Sequence, residues 1–454
     1  MNQHRAPRLP LPGLRLTLLS LALGVALTAS ARAQSLSELY EAARAYDASY
    51  LSARSAYEGN IARADQALAG LLPSVGLSAG SLRNRFDASP NLPPVLADRY
   101  YTTRSAGINA TQPLYRPANS ATYEQSKRQA AQAEAALEAA DQDLIVRLSQ
   151  AYFDVLGAQD SLAFVRAQKA AVAEQLASAK RNFEVGTATI TDTREAQARF
   201  DLVIAQEIAS DNDLRVKKIA LDQLVGKVGT APKPLAGPAI LSAPAPDNVD
   251  QWVNASEEQH PSIRQARLGL EVARLETEKA EANRKPTIDL TAGYNIQRNV
   301  NGNSTSTADS RIALSTVGVQ FNMPLFAGFA TQNRIKETLA LEDKARNDLE
   351  GARRAVAQGT RTAYFGVVSG LGQVKALEAA EASSQSALDA NKLGYTVGVR
   401  INIDVLNAQS QLYQTKRDLA KARYDVLVGS LKLRQANGTL KPTDIDPINA
   451  LLLR

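Results

Sequence analysis

Three rhythms of apolar and polar residues run along this chain, and two of them occur twice in the same order. The first is a continuous apolar run from Leu16 to Thr28. The second has a helical period: Leu144, Leu148, Tyr152, Val155, Leu162 and Val165 recur at spacings of three, four and seven. The third has a period of two. Ile288, Leu290, Ala292, Tyr294 and Ile296 alternate with Thr287, Asp289, Thr291, Gly293 and Asn295, which predicts a strand with one apolar face. Val75, Leu77 and Ala79 alternate with serine and glycine in the same way.

These rhythms predict one plan, used twice. A helix near Leu36 to Leu71 is stopped by Pro73, and another near Val249 to Arg284 is stopped by Pro286. Two strands follow each, separated by the polar stretches Asp87 to Asp98 and Asn299 to Ser310, with second strands at Tyr100 to Gln112 and Arg311 to Met323. From about Asn119 to Glu184 there is no proline, and sixty-six residues at about 1.5 Å each make roughly 100 Å of helix. Val185, Gly186 and Thr187 then make a turn, with Gly186 suited to the C-terminal cap and Thr189 or Thr191 to the next N-cap. The returning helix ends near Gly226, about half as long. The short helix before the strands is therefore expected to stack end to end with it along the long one. Alanine-rich interfaces permit close helix approach but fill little volume, which suits a thin wall better than a solid core.

The plan is written into the residues as a duplication. Ala151-Tyr152-Phe153 recurs as Ala363-Tyr364-Phe365, an offset of 212. At that offset Val185-Gly186 matches Val397-Gly398, Asp192 matches Asp404, Leu221 matches Leu433 and Gly226 matches Gly438. The expected units are a first repeat at 34–226, a linker at 227–248 rich in proline, a second repeat at 249–440 and a tail at 441–454.

Composition narrows the function. The 454 residues carry 52 basic and 46 acidic side chains, but Arg5, Arg8, Arg15 and Arg32 all lie before Gln34. Three of these arginines precede the apolar run, and Ala31-Arg32-Ala33 follows it as a small-x-small cleavage pattern, so residues 1–33 read as a secretory signal peptide. The remainder is nearly charge-balanced, which argues against a nucleic-acid partner. The absence of cysteine excludes disulfides, thiol nucleophiles and a lipidated cysteine. No cofactor or metal is expected. Gly76-Leu77-Ser78-Ala79-Gly80 matches the nucleophile-elbow pattern, but alternation continues through it where a strand-turn-helix is required. His260, beside Pro261, reads as a capping or surface residue. No enzymatic activity is expected, and with no Walker A or H-E-x-x-H motif, energy for any transport must come from partners.

Strands with one apolar and one polar face, in an exported chain, either cover a soluble core or face the lipid of an outer membrane, and the second option requires a closed barrel. Two chains would give eight strands with a filled interior, whereas three give twelve and a clear lumen. The duplication, the segment Leu71-Leu72-Pro73 to Gly80, the stretch from Tyr395 through Arg400, Asp404 and Leu406, and the run from Ala422-Arg423-Tyr424 resemble the TolC family of outer-membrane export channels. This resemblance implies a mainly α fold with β: a homotrimer whose helical hairpins form a periplasmic tunnel continuous with a twelve-stranded transmembrane barrel. A belt made by linker and tail would surround the tunnel. It also implies an exit duct for small molecules or proteins in tripartite efflux or type I secretion. The implied partners are a periplasmic adaptor, an inner-membrane ABC or proton-driven transporter, and outer-membrane lipid.

The resemblance assigns roles to residues at the hairpin tips. Asp404 matches a carboxylate that rings the periplasmic entrance, with Asn407 where the family pattern has a second aspartate, and Asp192 and Glu195 as the counterparts in the first repeat. By sequence alone these are equally well helix-N-terminal carboxylates favoured by the dipole. Tyr395, Arg400 and Asp192 match a latch that holds the entrance shut; the plainer alternative is a surface ion pair. Val185, Gly186, Thr187 and Val397, Gly398, Val399 are turns to which the family adds adaptor docking. The competing reading is a periplasmic coiled-coil adaptor or scaffold without a pore.

Overall fold

The computed structural model describes residues 33–87, 99–237 and 241–453. The apolar run of the expected signal peptide and most of the polar stretch 87–98 lie outside the described residues. In chain order the elements are α1 (Leu36–Tyr46), α2 (Ala48–Leu68), β1 (Ser74–Phe86), β2 (Arg99–Tyr115), α3 (Pro117–Glu184) and α4 (Ile190–Val225). The same series then repeats as α5 (Val249–Gln259), α6 (Pro261–Ala282), β3 (Thr287–Val300), β4 (Ser310–Asn322), α7 (Ala330–Thr396) and α8 (Asn402–Ala436). A short α9 (Asp446–Asn449) lies in the tail. The protein is mostly helical with one small antiparallel sheet, built from two repeats.

The long helices α3 and α7 span 68 and 67 residues, about 100 Å each. Toward the tips they pack against α4 and α8, and toward the sheet against the shorter helices, α3 touching both α2 and α6 and α7 touching α5 and α6. This is the end-to-end stacking that the length mismatch required. Each helix expected before the strands is, however, two helices. The first break is at Asp47, whose carboxylate accepts from the Tyr50 amide at 2.8 Å and from Arg147 of α3 at 3.0 and 3.1 Å. The second is at His260, which precedes Pro261 and is therefore driven out of helical geometry. Its Nδ1 accepts from the Ser262 amide at 3.1 Å, and burial pushes the imidazole pKa down. Of the two expected roles, capping or surface, it takes the cap.

The four strands form a single sheet in the order β1-β2-β3-β4, so the two expected hairpins are joined by pairing of β2 with β3 across the duplication. Register places Leu77, Ile108 and Tyr294 side by side, with Ala79, Ala106, Ile296 and Ala313 in the next row of the same face. Asn109 and Asn295 lie on the opposite face with Ser78, Thr291 and Thr316. A chain of side-chain hydrogen bonds crosses all four strands there. Asn84 donates to Thr103 at 3.2 Å, Thr103 to Asn299 at 3.1 Å, and Asn299 to Ser310 at 3.0 Å. The outer edges of β1 and β4 have no partner strand among the described residues.

The main apolar core lies midway along the helices. Leu36 and Leu39 of α1, Tyr152 and Phe153 of α3, Leu221 of α4, Leu431 of α8, and Ile445 and Leu452 of the tail meet there. Linker and tail cross this level together: the Leu453 amide donates to the Pro234 carbonyl at 2.9 Å, and the Ala236 amide to Leu451 at 2.8 Å. The duplicated Ala-Tyr-Phe triplets anchor the two ends of the linker. The Tyr152 hydroxyl donates to the Lys233 carbonyl at 2.8 Å, and the Tyr364 hydroxyl to the Asp247 carboxylate at 2.6 Å.

Candidate tunnel mouth at the hairpin tips

The two tips, far from the sheet, are built by the same backbone device. Gly186 and Gly398 both sit at φ +78°, in the left-handed region that only glycine enters freely. Around them the Thr187 amide donates to the Asn182 carbonyl at 2.8 Å and the Val399 amide to the Gly394 carbonyl at 2.9 Å, satisfying the last carbonyls of each long helix. The turns carry apolar side chains into solvent: Val185, Val397, Val399 and Ile401 are 60–76% exposed. Thr187 is exposed too.

The returning helices start differently. Thr189 caps α4 in a reciprocal arrangement with Asp192, whose carboxylate accepts from the Thr189 amide at 2.9 Å and hydroxyl at 2.7 Å. Asp192 is therefore engaged in its own helix terminus. The start of α8 has no side-chain cap. Arg400 turns toward Asp404, with Nη1 3.6 Å from Oδ2, and not toward Asp192. Gly394 makes room for it, since a Cβ there would lie 2.7 Å from the Arg400 Cγ. The Tyr395 hydroxyl accepts from Asn182 of the first hairpin at 3.2 Å. Asn407 is exposed and accepts from Arg199 of α4 at 2.8 Å. Glu195 lies one turn beyond Asp192, half-buried.

Asn402 is the residue that brings these parts together, and the sequence reading gave it no role. It is fully buried. Its side chain accepts from Gln175 of α3 at 2.5 Å and donates to the Asp192 carbonyl of α4 at 3.2 Å. One side chain at the start of the second repeat's return helix thus grips both helices of the first hairpin. A signal was present in the duplication: position 402 pairs with Ile190, so a polar residue replaces an apolar one at a matched site.

A pair of long helical hairpins ending in apolar tips, with a two-faced sheet at the opposite end, is the architecture expected of one subunit of a channel-tunnel. The sequence profile of the outer membrane efflux protein family matches residues 39–227 and 252–439. The outer membrane protein TolC of Vibrio cholerae is 34% identical over 431 residues, covering 95% of this chain and 96% of that one. The alkaline protease secretion protein AprF of Pseudomonas aeruginosa is 30% identical over 78% of this chain and 73% of its own. The solved outer membrane protein VceC of Vibrio cholerae shares the fold at a TM-score of 0.77 and 20% identity, covering 89% of this chain and 96% of that one. The chain belongs to the outer membrane efflux protein family. It is an outer-membrane exit duct with a large periplasmic portion.

Proposed function

We propose that three copies close into a twelve-stranded barrel above a periplasmic tunnel, and that the duct passes small molecules or proteins handed over by a periplasmic adaptor and an inner-membrane ABC or proton-driven transporter. The observation that carries this is the sheet. It has one apolar and one polar face and, among the described residues, two edges without a partner strand, and an open edge is not tolerated in hydrocarbon. Four strands per chain make three copies the smallest closed ring with a clear lumen. Sequence units at 34–226, 227–248, 249–440 and 441–454 fit this assembly, with linker and tail as its belt. The names of the relatives cover both protein secretion and efflux, which is why both cargo classes enter the proposal.

In this reading the exposed valines of both tips dock the adaptor, and the three Asp404 carboxylates, with Asn407, Asp192 and Glu195 nearby, line the entrance. Tyr395, Arg400 and Asp192 hold it shut: Tyr395 through Asn182, Arg400 beside Asp404, and Asp192 through its carbonyl on Asn402. Planar-bilayer recording tests the assignment. Asp404→Asn is expected to lower cation selectivity, and Arg400→Ser with Tyr395→Phe to raise single-channel conductance. Unchanged selectivity overturns the entrance ring, and unchanged conductance overturns the latch. A single-copy mass in mild detergent overturns the trimer.

A further inference from the structure

Register brings three arginines into one row. Arg104 of β2 stands opposite Arg298 of β3, and Arg298 stands opposite Arg311 of β4. All three are exposed, and none has an ion-pair or hydrogen-bond partner among the described residues. Directly opposed like charges on neighbouring strands are destabilising, so the row calls for an anion from outside the chain. Arg83 of β1 lies diagonally beside Arg104, its guanidinium 5.3 Å from the centre of the Tyr100 ring.

The position of the row indicates which anion. By strand parity these arginines share the face of Leu77, Ile108, Ile296 and Val319, the face that meets lipid once the barrel closes. Ile288 to Ile296 covers about 27 Å along the strand, near 20 Å of height at a usual barrel tilt, so the apolar band ends there. Arg298 comes one same-face position later. Level with the row and beyond it this face carries Ser81, Thr102 and Arg83, while Leu82 faces the other way, so the outward surface becomes polar and basic. The helices leave the sheet at its opposite end, which puts the arginine row at the outer leaflet.

We infer that Arg104, Arg298 and Arg311 form a binding site for the phosphate groups of outer-leaflet glycolipid. Guanidinium pairs with phosphate bidentately and is only weakly hydrated, so the residue type suits a headgroup at the edge of the apolar band. Bound phosphate supplies the counter-charge that the chain itself lacks. Each basic side chain near an anionic lipid surface contributes about fivefold in affinity, so three together are worth about 100-fold.

This rests on the barrel reading above, and the test separates the two. The purified full-length channel is titrated with diphosphorylated lipid A, with its phosphate-free counterpart and with inorganic phosphate. Conductance is recorded on the same preparations. Saturable binding of the phosphorylated lipid is expected, weakened about 100-fold in the R104Q, R298Q, R311Q triple variant while conductance is retained. The corresponding lysine triple keeps the charge but not the bidentate fork, so its affinity should fall between those of the unaltered protein and the glutamine triple. Equal binding of the phosphate-free lipid, or equal affinity of the glutamine triple, overturns the site. Displacement of the lipid by equimolar inorganic phosphate reassigns the row to a free anion and overturns the lipid assignment. Loss of conductance in the unaltered protein would instead mark failure of the barrel reading.

Discussion

Replacing Asn402 by alanine should loosen the tunnel mouth while leaving the rest of the molecule intact. The side chain is fully buried and makes two hydrogen bonds, to Gln175 and to the Asp192 carbonyl, both on the other hairpin. A buried hydrogen bond contributes about 1 kcal/mol net, and a partner left unpaired adds to the loss, so the change amounts to about 2–3 kcal/mol. Apolar contacts around Leu388, Val405 and Leu412 keep α7 and α8 together, so the loss falls on the joint between hairpins. Local opening should then rise about 30- to 150-fold. Amide hydrogen exchange with peptide resolution reads this directly. Peptides over 182–195 and 394–404 should exchange faster, and peptides over the Tyr152 and Leu431 core should not. Exchange at the tips within about twofold of the unaltered protein would refute the reasoning, because a 2 kcal/mol joint cannot be lost without raising local opening.

Two further perturbations probe the middle of the molecule. Gly226 and Gly438 end α4 and α8 at φ +72° and +78°, and an added Cβ would lie 2.4 Å from the half-exposed Tyr46 ring in the first case and 2.4 Å from the His260 backbone in the second. Alanine should cost about 1–2 kcal/mol of left-handed strain at both, and more at 438, where backbone cannot swing away; a thermal melt in detergent that ranks the two the other way would contradict this. The hydrogen bond from Arg147 depresses the Asp47 pKa. Its stabilisation is therefore complete above the ordinary carboxylate value of about 3.9 and is lost as pH falls below that through the folded value. Asp47→Asn should flatten the melting-temperature profile between neutral pH and pH 3, and an unchanged acid limb would exclude the pair from acid stability.

The sequence made the repeated plan visible because both periodicities are local. A period of two over Thr287 to Ile296 and spacings of three and four through Leu144 to Val165 need no knowledge of a partner. The tip turns were legible from their glycines and the linker from its prolines, whereas the belt entered only through the family resemblance. What stayed hidden depends on contacts between distant segments. Helices α1 and α2 read as one because nothing local to Asp47 reveals that Arg147 grips it. The pairing of β2 with β3 is a register between segments whose order in space the alternation does not specify. At the mouth, Asp192 was legible as an N-terminal acid, and the structure uses its carboxylate in that way. The cross-hairpin role of its carbonyl needed Asn402 to be seen in place.

Pairing across the duplication also sets an order of events in time. Ile108 and Tyr294 are neighbours in the sheet but 186 residues apart in the chain. A polypeptide exported from its N-terminus completes β1 and β2 long before β3 exists, so the first hairpin waits with an uncovered edge and an apolar face. Pairings at such separation are slow to form and leave aggregation-prone surface exposed meanwhile. The arrival of β3 covers the β2 edge of that hairpin, while the β1 edge stays open until, in the trimer proposed above, a second copy meets it, so assembly rather than chain completion ends the exposure.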